Sequence, residues 1–252
     1  MEGLATTVAS LSAECVRDVY RQSYVPNNLV VVVTGGAPAE KSLQAARTAF
    51  AGLLPGSRLA EAAEEPPSPR PGLEQLHRPS TTGFLHVGGR APGLAEPSYP
   101  AATVALAILG SGMGSRLYSA LRLNDGVAYT FAATARAARA GSRAGVWAAS
   151  PPERLDEAEG RVLLAIRRLA TEPASPEEIL RAKEYIVTSH AITHQRSVDL
   201  AHQLGALEFA SGRGLELDRE LPQLVRDATP EQVRDAARAM FDTRVRVRVL
   251  PS

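Results

Sequence analysis

Two stretches of the chain share one pattern of polar and apolar positions, in which an amphipathic helix leads into an apolar strand. The first is SLSAECVRDVYRQSYVPNNLVVVV and the second is DATPEQVRDAARAMFDTRVRVRVL. Each places a hydroxyl residue, Ser12 or Thr229, where it can cap the N-terminus of the helix, and each then contains Val-Arg-Asp. The pattern predicts that the same helix–strand unit closes two structural repeats.

The two predicted strands differ in their hydrophobic pattern. Residues 29–33 are continuously apolar, which is typical of a strand buried on both faces, whereas the run from Val245 alternates Val and Arg. An alternating strand buries one face and exposes the other. We therefore expect the Arg side chains of the last strand to face solvent.

The spacing of elements divides the chain into two parts. A helix predicted over residues 39–53 follows the first unit, and the Pro- and Glu-rich stretch LPGSRLAEAAEEPPSPRPG then reads as a linker. We assign residues 1–58 to the C-terminal remnant of a first α+β repeat, residues 59–72 to the linker and residues 73–252 to a complete second repeat.

The second part begins with strands and ends with helices. A strand bent near Pro79 and Gly83 precedes an Ala-rich helix over residues 97–109, and two strands joined near Ala140-Gly141 follow the next helix. Helices fill most of the remainder, including one that begins at Ser175 with a capping box. This order predicts an α+β fold, a mainly antiparallel sheet with helices packed on one face.

Composition and charge exclude several classes of function. The formal net charge is +1 and 44% of the residues are hydrophobic, so no global field favours nucleic acid. No apolar run approaches the roughly 20 residues that span a bilayer. The single cysteine, Cys15, excludes an intrachain disulfide and a thiolate-rich metal site.

Two histidines, His190 and His194, are spaced to share one helix face in the sequence HAITH. A hydrolytic zinc helix of this kind needs a Glu directly after the first His or directly before the second. Ala191 and Thr193 occupy those positions, and the sequence offers no obvious third ligand. We therefore predict no metal ligand in this chain.

The glycine-rich stretch GSGMGS precedes the helix that begins at Ser115. It lacks the Lys of a phosphate-binding loop, and the element before it is predicted to be a helix rather than a strand. A loop that lets backbone approach a neighbouring segment or a peptide is the better interpretation. Gly110, Gly112, Gly114 and Ser115 are accordingly the candidate substrate-binding residues.

Arg122 and Tyr129 lie seven residues apart on either side of an Asn-Asp-Gly turn. Each has an ordinary structural interpretation, because Arg122 can cap the carbonyl groups at a helix C-terminus and Tyr129 can pack on a sheet. LGSGMGSRLYSALR, GVAY, SPEEILRAK and YVPNNLVVVVTG together resemble the pitrilysin/insulinase-type zinc metallopeptidases, including mitochondrial processing peptidase. That resemblance runs in order along essentially the whole chain.

The resemblance implies repeated α+β domains that enclose a peptide between two halves. One half of such enzymes carries zinc on His-x-x-Glu-His, and the other supplies an Arg and a Tyr seven residues apart that contact the substrate near the scissile bond. On this chain that pair is Arg122 and Tyr129, the candidate catalytic residues.

His-x-x-Glu-His does not occur in the 252 residues. The resemblance therefore implies the non-zinc half of such an enzyme, inactive alone, with no cofactor in this chain. Zinc is expected on a partner domain or subunit of the same family, and the ligand is a peptide substrate. The alternatives are a structural, non-proteolytic member of the same fold and a stand-alone peptide-binding module.

Two of the predicted strands are expected to pair with another chain. A peptide substrate can add to an exposed sheet edge, and residues 76–89 are the candidate strand. The strand at residues 29–33 lacks its expected neighbours in this repeat, so the isolated chain is a candidate homodimer through that edge.

Overall fold

The computed structural model describes residues 4–57, 71–123, 125–136 and 142–252. The chain forms two compact units, Met1–Glu64 and Glu65–Ser252, and each is described by itself. Most of the predicted linker and the turn predicted near Ala140-Gly141 lie outside the described residues.

The first unit contains the two predicted helices. Ser12 caps the second helix of the chain, since its side chain accepts a hydrogen bond from the backbone N–H of Cys15 at 3.1 Å. This contact confirms the capping role that the sequence predicts. The elements of this unit are α1 (Ala5–Ala9), α2 (Ala13–Ser23), a short 3-10 helix (Pro26–Asn28) and α3 (Ala39–Phe50).

The predicted strand at residues 29–33 is wrong. These residues form no regular element, and Val30, Val31 and Val33 are exposed rather than buried. A strand exists only when its backbone pairs with a second strand, and the described part of this unit, residues 4–57, contains none. The apolar run therefore lies on the surface of the unit.

The second unit is built on one five-stranded sheet with the order β1-β5-β2-β4-β3. The first pair of neighbours, β1 and β5, is parallel, and the three other pairs are antiparallel, which confirms a mainly antiparallel sheet. The strands are β1 (Gly72–Arg78), β2 (Gly83–Arg90), β3 (Thr130–Arg136), β4 (Arg143–Ser150) and β5 (Val245–Pro251).

Helices cover one face of this sheet. Alternate residues of β2 are buried, and Phe84 on the other face is 42% exposed. Fully buried residues from the sheet and the helices, such as Val87, Val146 and Val162, form the core between the layers. The α-helices of this unit are α4 (Tyr99–Gly110), α5 (Arg116–Tyr118), α6 (Leu155–Thr171), α7 (Pro176–Thr193), α8 (Ser197–Ser211), α9 (Gly214–Asp227) and α10 (Pro230–Phe241). A π-helix (Ser119–Leu123) continues α5, and a 3-10 helix (Pro152–Arg154) precedes α6.

The strand predicted to bend near Pro79 and Gly83 is two strands, and they are not neighbours. The chain turns between β1 and β2, and β5 lies between the two in the sheet. The prediction that residues 76–89 form one exposed edge is therefore wrong, because β2 is paired on both sides. The edges of the sheet, among the described residues, are β1 and β3.

The Arg side chains of β5 do not face solvent, contrary to the expectation from its alternating pattern. Arg246 and Arg248 lie opposite the buried residues Val87 and Leu85 of β2. Both arginines bind the carboxylate of Glu159 on α6, which is only 2% exposed. The ion pairs with the buried Glu159 therefore orient the Arg side chains of β5 toward the helix layer.

The helix caps predicted from the sequence are confirmed in the second unit. Ser175 and Glu178 form the expected capping box of α7, and Thr229 caps α10 in the same way with Gln232. The helix α9 was not predicted, and it brings Asp218 into the interior of the unit.

Candidate functional site

Arg122 and Tyr129 lie side by side on the surface of the second unit. Arg122 Nη1 donates a long hydrogen bond of 3.4 Å to the backbone carbonyl of Tyr129. Both residues are exposed, and Tyr129 retains 60% of its accessible surface. The structure thus brings the predicted pair together without using either side chain in the core. Their catalytic role stays a prediction.

Backbone hydrogen bonds fix the turn that carries the pair. The N–H of Ala128 donates to the Leu121 carbonyl at 3.1 Å, and the N–H of Tyr129 donates to the Ala149 carbonyl at 2.8 Å. The hydroxyl of Ser150, which is fully buried, donates to the Val127 carbonyl at 2.6 Å. Tyr129 is therefore held against β4 immediately before β3 begins.

Two arginines near the start of α6 hold the same turn from the other side. Arg161 donates to the Ala120 carbonyl at 2.7 Å and to the Asp125 carboxylate at 2.6 Å. Arg154 donates to the Asp125 carbonyl at 2.9 Å. The hydrogen bond from Arg161 holds the pKa of the Asp125 carboxyl below its usual value. These contacts limit the positions that Arg122 and Tyr129 can take.

The glycine-rich loop has local structural roles. A Cβ at Gly110 would lie 2.5 Å from the backbone nitrogen of Ala133 in β3, and Gly112 has a left-handed φ of +73°. Ser115 is buried, and its side chain accepts a hydrogen bond from the N–H of Tyr118. The close approach of α4 to β3 therefore explains Gly110, and a substrate-binding role for Gly110, Gly112, Gly114 and Ser115 stays a prediction.

Replacing Gly110 by alanine should lower the free energy of unfolding by about 1–3 kcal/mol, because the added methyl group overlaps backbone atoms of β3. Gly160 is a matched control, since it is also helical but a Cβ there meets nothing within 4 Å. Gly160→Ala should instead stabilise the unit by about 0.5–1 kcal/mol. Urea denaturation measures both, and equal effects would contradict the proposed overlap.

An ion pair joins two of the segments that first indicated the family. Arg116, at the start of α5, binds Glu178 with two hydrogen bonds of 2.7 and 2.9 Å. The contact from Arg116 lowers the pKa of the Glu178 carboxyl, and Glu178 also accepts the N–H of Ser175. A cavity of about 600 Å³ lies beside this pair and is also lined by Gly114, Arg161 and Arg168.

One cluster was missed by sequence reasoning. His190 and His194 share a helix face as predicted, with ring centroids 4.4 Å apart, and Asp218 of α9 lies against both rings. The three side chains are placed so that they can hold a metal ion. The third potential metal ligand, which the sequence did not reveal, is thus Asp218, and no spacing rule connects it to HAITH.

The catalytic zinc of the peptidase family does not fit this cluster. Ala191 and Thr193 stand where a hydrolytic zinc helix needs its Glu, so the residues present supply no base for a metal-bound water.

Among the described helices, none is long and apolar enough to cross a bilayer.

Comparison with known sequences identifies the family. The sequence profile described as "Peptidase M16 inactive domain" matches residues 10–186. An uncharacterized zinc protease from Streptomyces coelicolor is 27% identical over 98% of this chain. The chain covers 55% of that relative, so it spans about half the length of the curated protein that it matches.

Comparison with solved structures supports the same fold. The peptidase M16 inactive domain from Pseudomonas fluorescens superposes with a TM-score of 0.88 at 21% identity, covering 98% of this chain and 60% of the other. A chain of complex III2 from Candida albicans, with Inz-5 bound, gives a TM-score of 0.84 at 18% identity and covers 99% and 61%. The profile matches well over half of the sequence, and the chain therefore belongs to the peptidase M16 inactive-domain family.

Proposed function

We propose that this chain is the non-zinc half of an M16-type metallopeptidase and that it supplies Arg122 and Tyr129 to a peptide held at a zinc site on another domain or subunit. The observation that carries the proposal is the exposed pair itself. Two polar side chains project from a turn that is held by Ser150, Arg154 and Arg161, although the core does not need either of them.

The chemistry of peptide hydrolysis gives such a pair a function. Negative charge develops on the carbonyl oxygen of the scissile bond, and hydrogen-bond donors held at that position stabilise it. Tyr129 offers a phenolic O–H and Arg122 offers several guanidinium N–H groups. Because the backbone of the turn is fixed before substrate arrives, only the side-chain rotamers of the two donors have to be ordered when they bind it.

The zinc-bearing partner is also part of the proposal. The relative from Streptomyces coelicolor is named a zinc protease and is longer than this chain. The first unit exposes apolar side chains, including Val16, Val19, Tyr20 and Val31, as expected of a surface that packs against a further domain. Isolated in solution, that surface also suits the homodimer expected from the sequence, although residues 29–33 form no strand edge.

Peptide capture by strand addition is best assigned to β3. This strand is an edge of the sheet and begins at Thr130, directly after Tyr129. An extended peptide that paired with the edge would pass the exposed phenol. We therefore propose this edge, rather than residues 76–89, as the capture site, because β2 is paired on both sides.

The proposal predicts that the chain hydrolyses nothing alone. Purified chain with added zinc should leave a quenched fluorescent peptide library at background. A zinc-bearing half that carries His-x-x-Glu-His, supplied in trans or fused ahead of residue 1, should become at least about tenfold more active when this chain is present. Hydrolysis by the chain alone, or no gain over the zinc half, would contradict the proposal.

A structural role without proteolysis is the second candidate. The fold match to a chain of complex III2 favours it, because the same architecture exists there within a large assembly. In that case the chain would bind its partner domain, yet the complex would show no peptide hydrolysis. A stand-alone peptide-binding module would instead bind peptides in the absence of any zinc-bearing half.

A further inference from the structure

Two helices of the second unit, α7 and α9, bring two histidines and a buried carboxylate to one point. His190 is near the end of α7, His194 is the residue that caps this helix, and Asp218 is on α9. The Nε2 atoms of His190 and His194 each lie 3.1 Å from an Asp218 carboxylate oxygen. One donor atom from each residue lies within 4.8 Å of the other two.

The carboxylate of Asp218 is removed from solvent. Asp218 is 2% exposed, and its described partners are the two imidazoles and the side-chain amide of Gln203 on α8. A buried carboxylate is costly unless cationic groups or several donors compensate its charge. A divalent cation bound among the three side chains would supply positive charge to the buried carboxylate directly.

The separations suit a metal ion as well as they suit hydrogen bonds. Tetrahedral zinc with bonds of about 2.0–2.1 Å places neighbouring ligand atoms about 3.3–3.4 Å apart, which is close to the two His–Asp separations of 3.1 Å and inside the 4.8 Å that bounds all three separations. Two imidazoles and one carboxylate are also a ligand set that divalent transition metals prefer. Side-chain adjustments within this cluster would therefore bring the three ligand atoms around one ion.

The cluster is open on one side. His190 and Gln203 line a cavity of about 470 Å³ that also includes Tyr185, Thr193 and Leu207, and the side chain of His194 is 35% exposed. An ion can reach the cluster from this cavity. A water molecule or the Gln203 amide oxygen can take the fourth position, since the amide can present either its oxygen or its nitrogen.

We propose that His190, His194 and Asp218 bind one divalent transition-metal ion of the zinc type, and that the ion joins α7 to α9. The role is structural, because the helix lacks the Glu that would activate a metal-bound water. The ion fixes the wall of the cavity that these helices form. This site is independent of Arg122 and Tyr129 and of any zinc on a partner domain.

Metal titration of the tag-free, chelator-treated 252-residue chain tests the site. Isothermal titration with Zn²⁺ should give one ion per chain, and Co²⁺ should produce the intense visible bands of a four-coordinate ion. Zn²⁺ should also raise the Tm followed by fluorescence of Trp147, the single tryptophan of the chain. The absence of one-to-one binding, or a weak six-coordinate Co²⁺ spectrum alone, would overturn the proposal.

Ligand variants give the decisive comparison. His194→Ala should weaken Zn²⁺ binding at least about 100-fold. Because the His194 side chain is 35% exposed, its removal should leave the Tm of the metal-free protein unchanged, and measuring that Tm excludes a folding defect. Asp218→Asn should weaken binding similarly. His202→Ala is the matched control, since His202 is exposed on α8, and it should bind as the parent does. Equal affinity of His194→Ala and His202→Ala would overturn the assignment.

Discussion

Replacing Tyr129 by phenylalanine should lower kcat of the assembled peptidase by about 10²–10³-fold, the usual effect of removing one donor to a developing oxyanion. The substitution deletes only the exposed hydroxyl group, and the hydrogen bonds that fix the turn use backbone atoms of Tyr129. Stability should therefore not change. Steady-state kinetics of the reconstituted enzyme on one peptide measure the effect.

The division between kcat and KM separates two possible roles of the pair. A donor that acts only in the transition state lowers kcat and kcat/KM equally, whereas a group that binds substrate uniformly raises KM alone. Arg122→Ala should follow the first pattern, and Arg122→Lys should restore part of the rate because the charge is kept without the planar fork. Tyr185→Phe removes another exposed phenol and should have no effect. Full activity of both Tyr129→Phe and Arg122→Ala would refute the catalytic role.

The parts of the fold that were predicted correctly depend on short-range signals. The capping box of Ser175 and Glu178 spans three residues, and its geometry follows from the helix start itself. The order of strands and helices likewise predicted the α+β class. These signals are local, so neighbouring residues alone determine them.

The errors concern partners that are distant in sequence. Nothing near Pro79 indicates that β5, the last strand of the chain, pairs between β1 and β2. The alternating pattern of β5 predicted an exposed Arg face. Instead, Arg248 binds the buried carboxylate of Glu159, which lies 89 residues earlier in the sequence, and the Arg face therefore packs against the helix layer. The strand at residues 29–33 failed for the related reason that an apolar run is buried only where a partner covers it.

The candidate site shows the same division. Arg122 and Tyr129 lie seven residues apart, so one motif revealed both. The residues that fix them, Arg161 and Ser150, come from later elements, and Asp218 lies 24 residues after His194 on a helix that was not predicted. The residues that support a site depend on which distant elements pack together, and a single sequence carries little information about that packing.

Replacing Glu159 by alanine should lower the free energy of unfolding of the second unit by about 3–5 kcal/mol. Glu159 is 2% exposed and accepts hydrogen bonds from Arg246 at 3.0 Å and from Arg248 Nε at 2.6 Å. Its loss leaves two partly buried guanidinium groups facing the core layer without their shared counter-charge. For a unit of this size the Tm should fall by about 6–20 °C, which the fluorescence of Trp147 on β4 can follow.

Asp156 provides the matched control on the same helix. Its carboxylate binds Arg248 at 2.6 Å, but its side chain is 85% exposed, so solvent screens the pair and its loss should cost at most about 1 kcal/mol. Glu159→Gln should fall between the two variants, because an amide keeps the shape and one acceptor but not the charge. If Asp156→Ala and Glu159→Ala destabilised the unit equally, exposure would not decide the strength of these ion pairs. The inward orientation of the Arg face would then need another cause, since the buried carboxylate is what makes that orientation favourable.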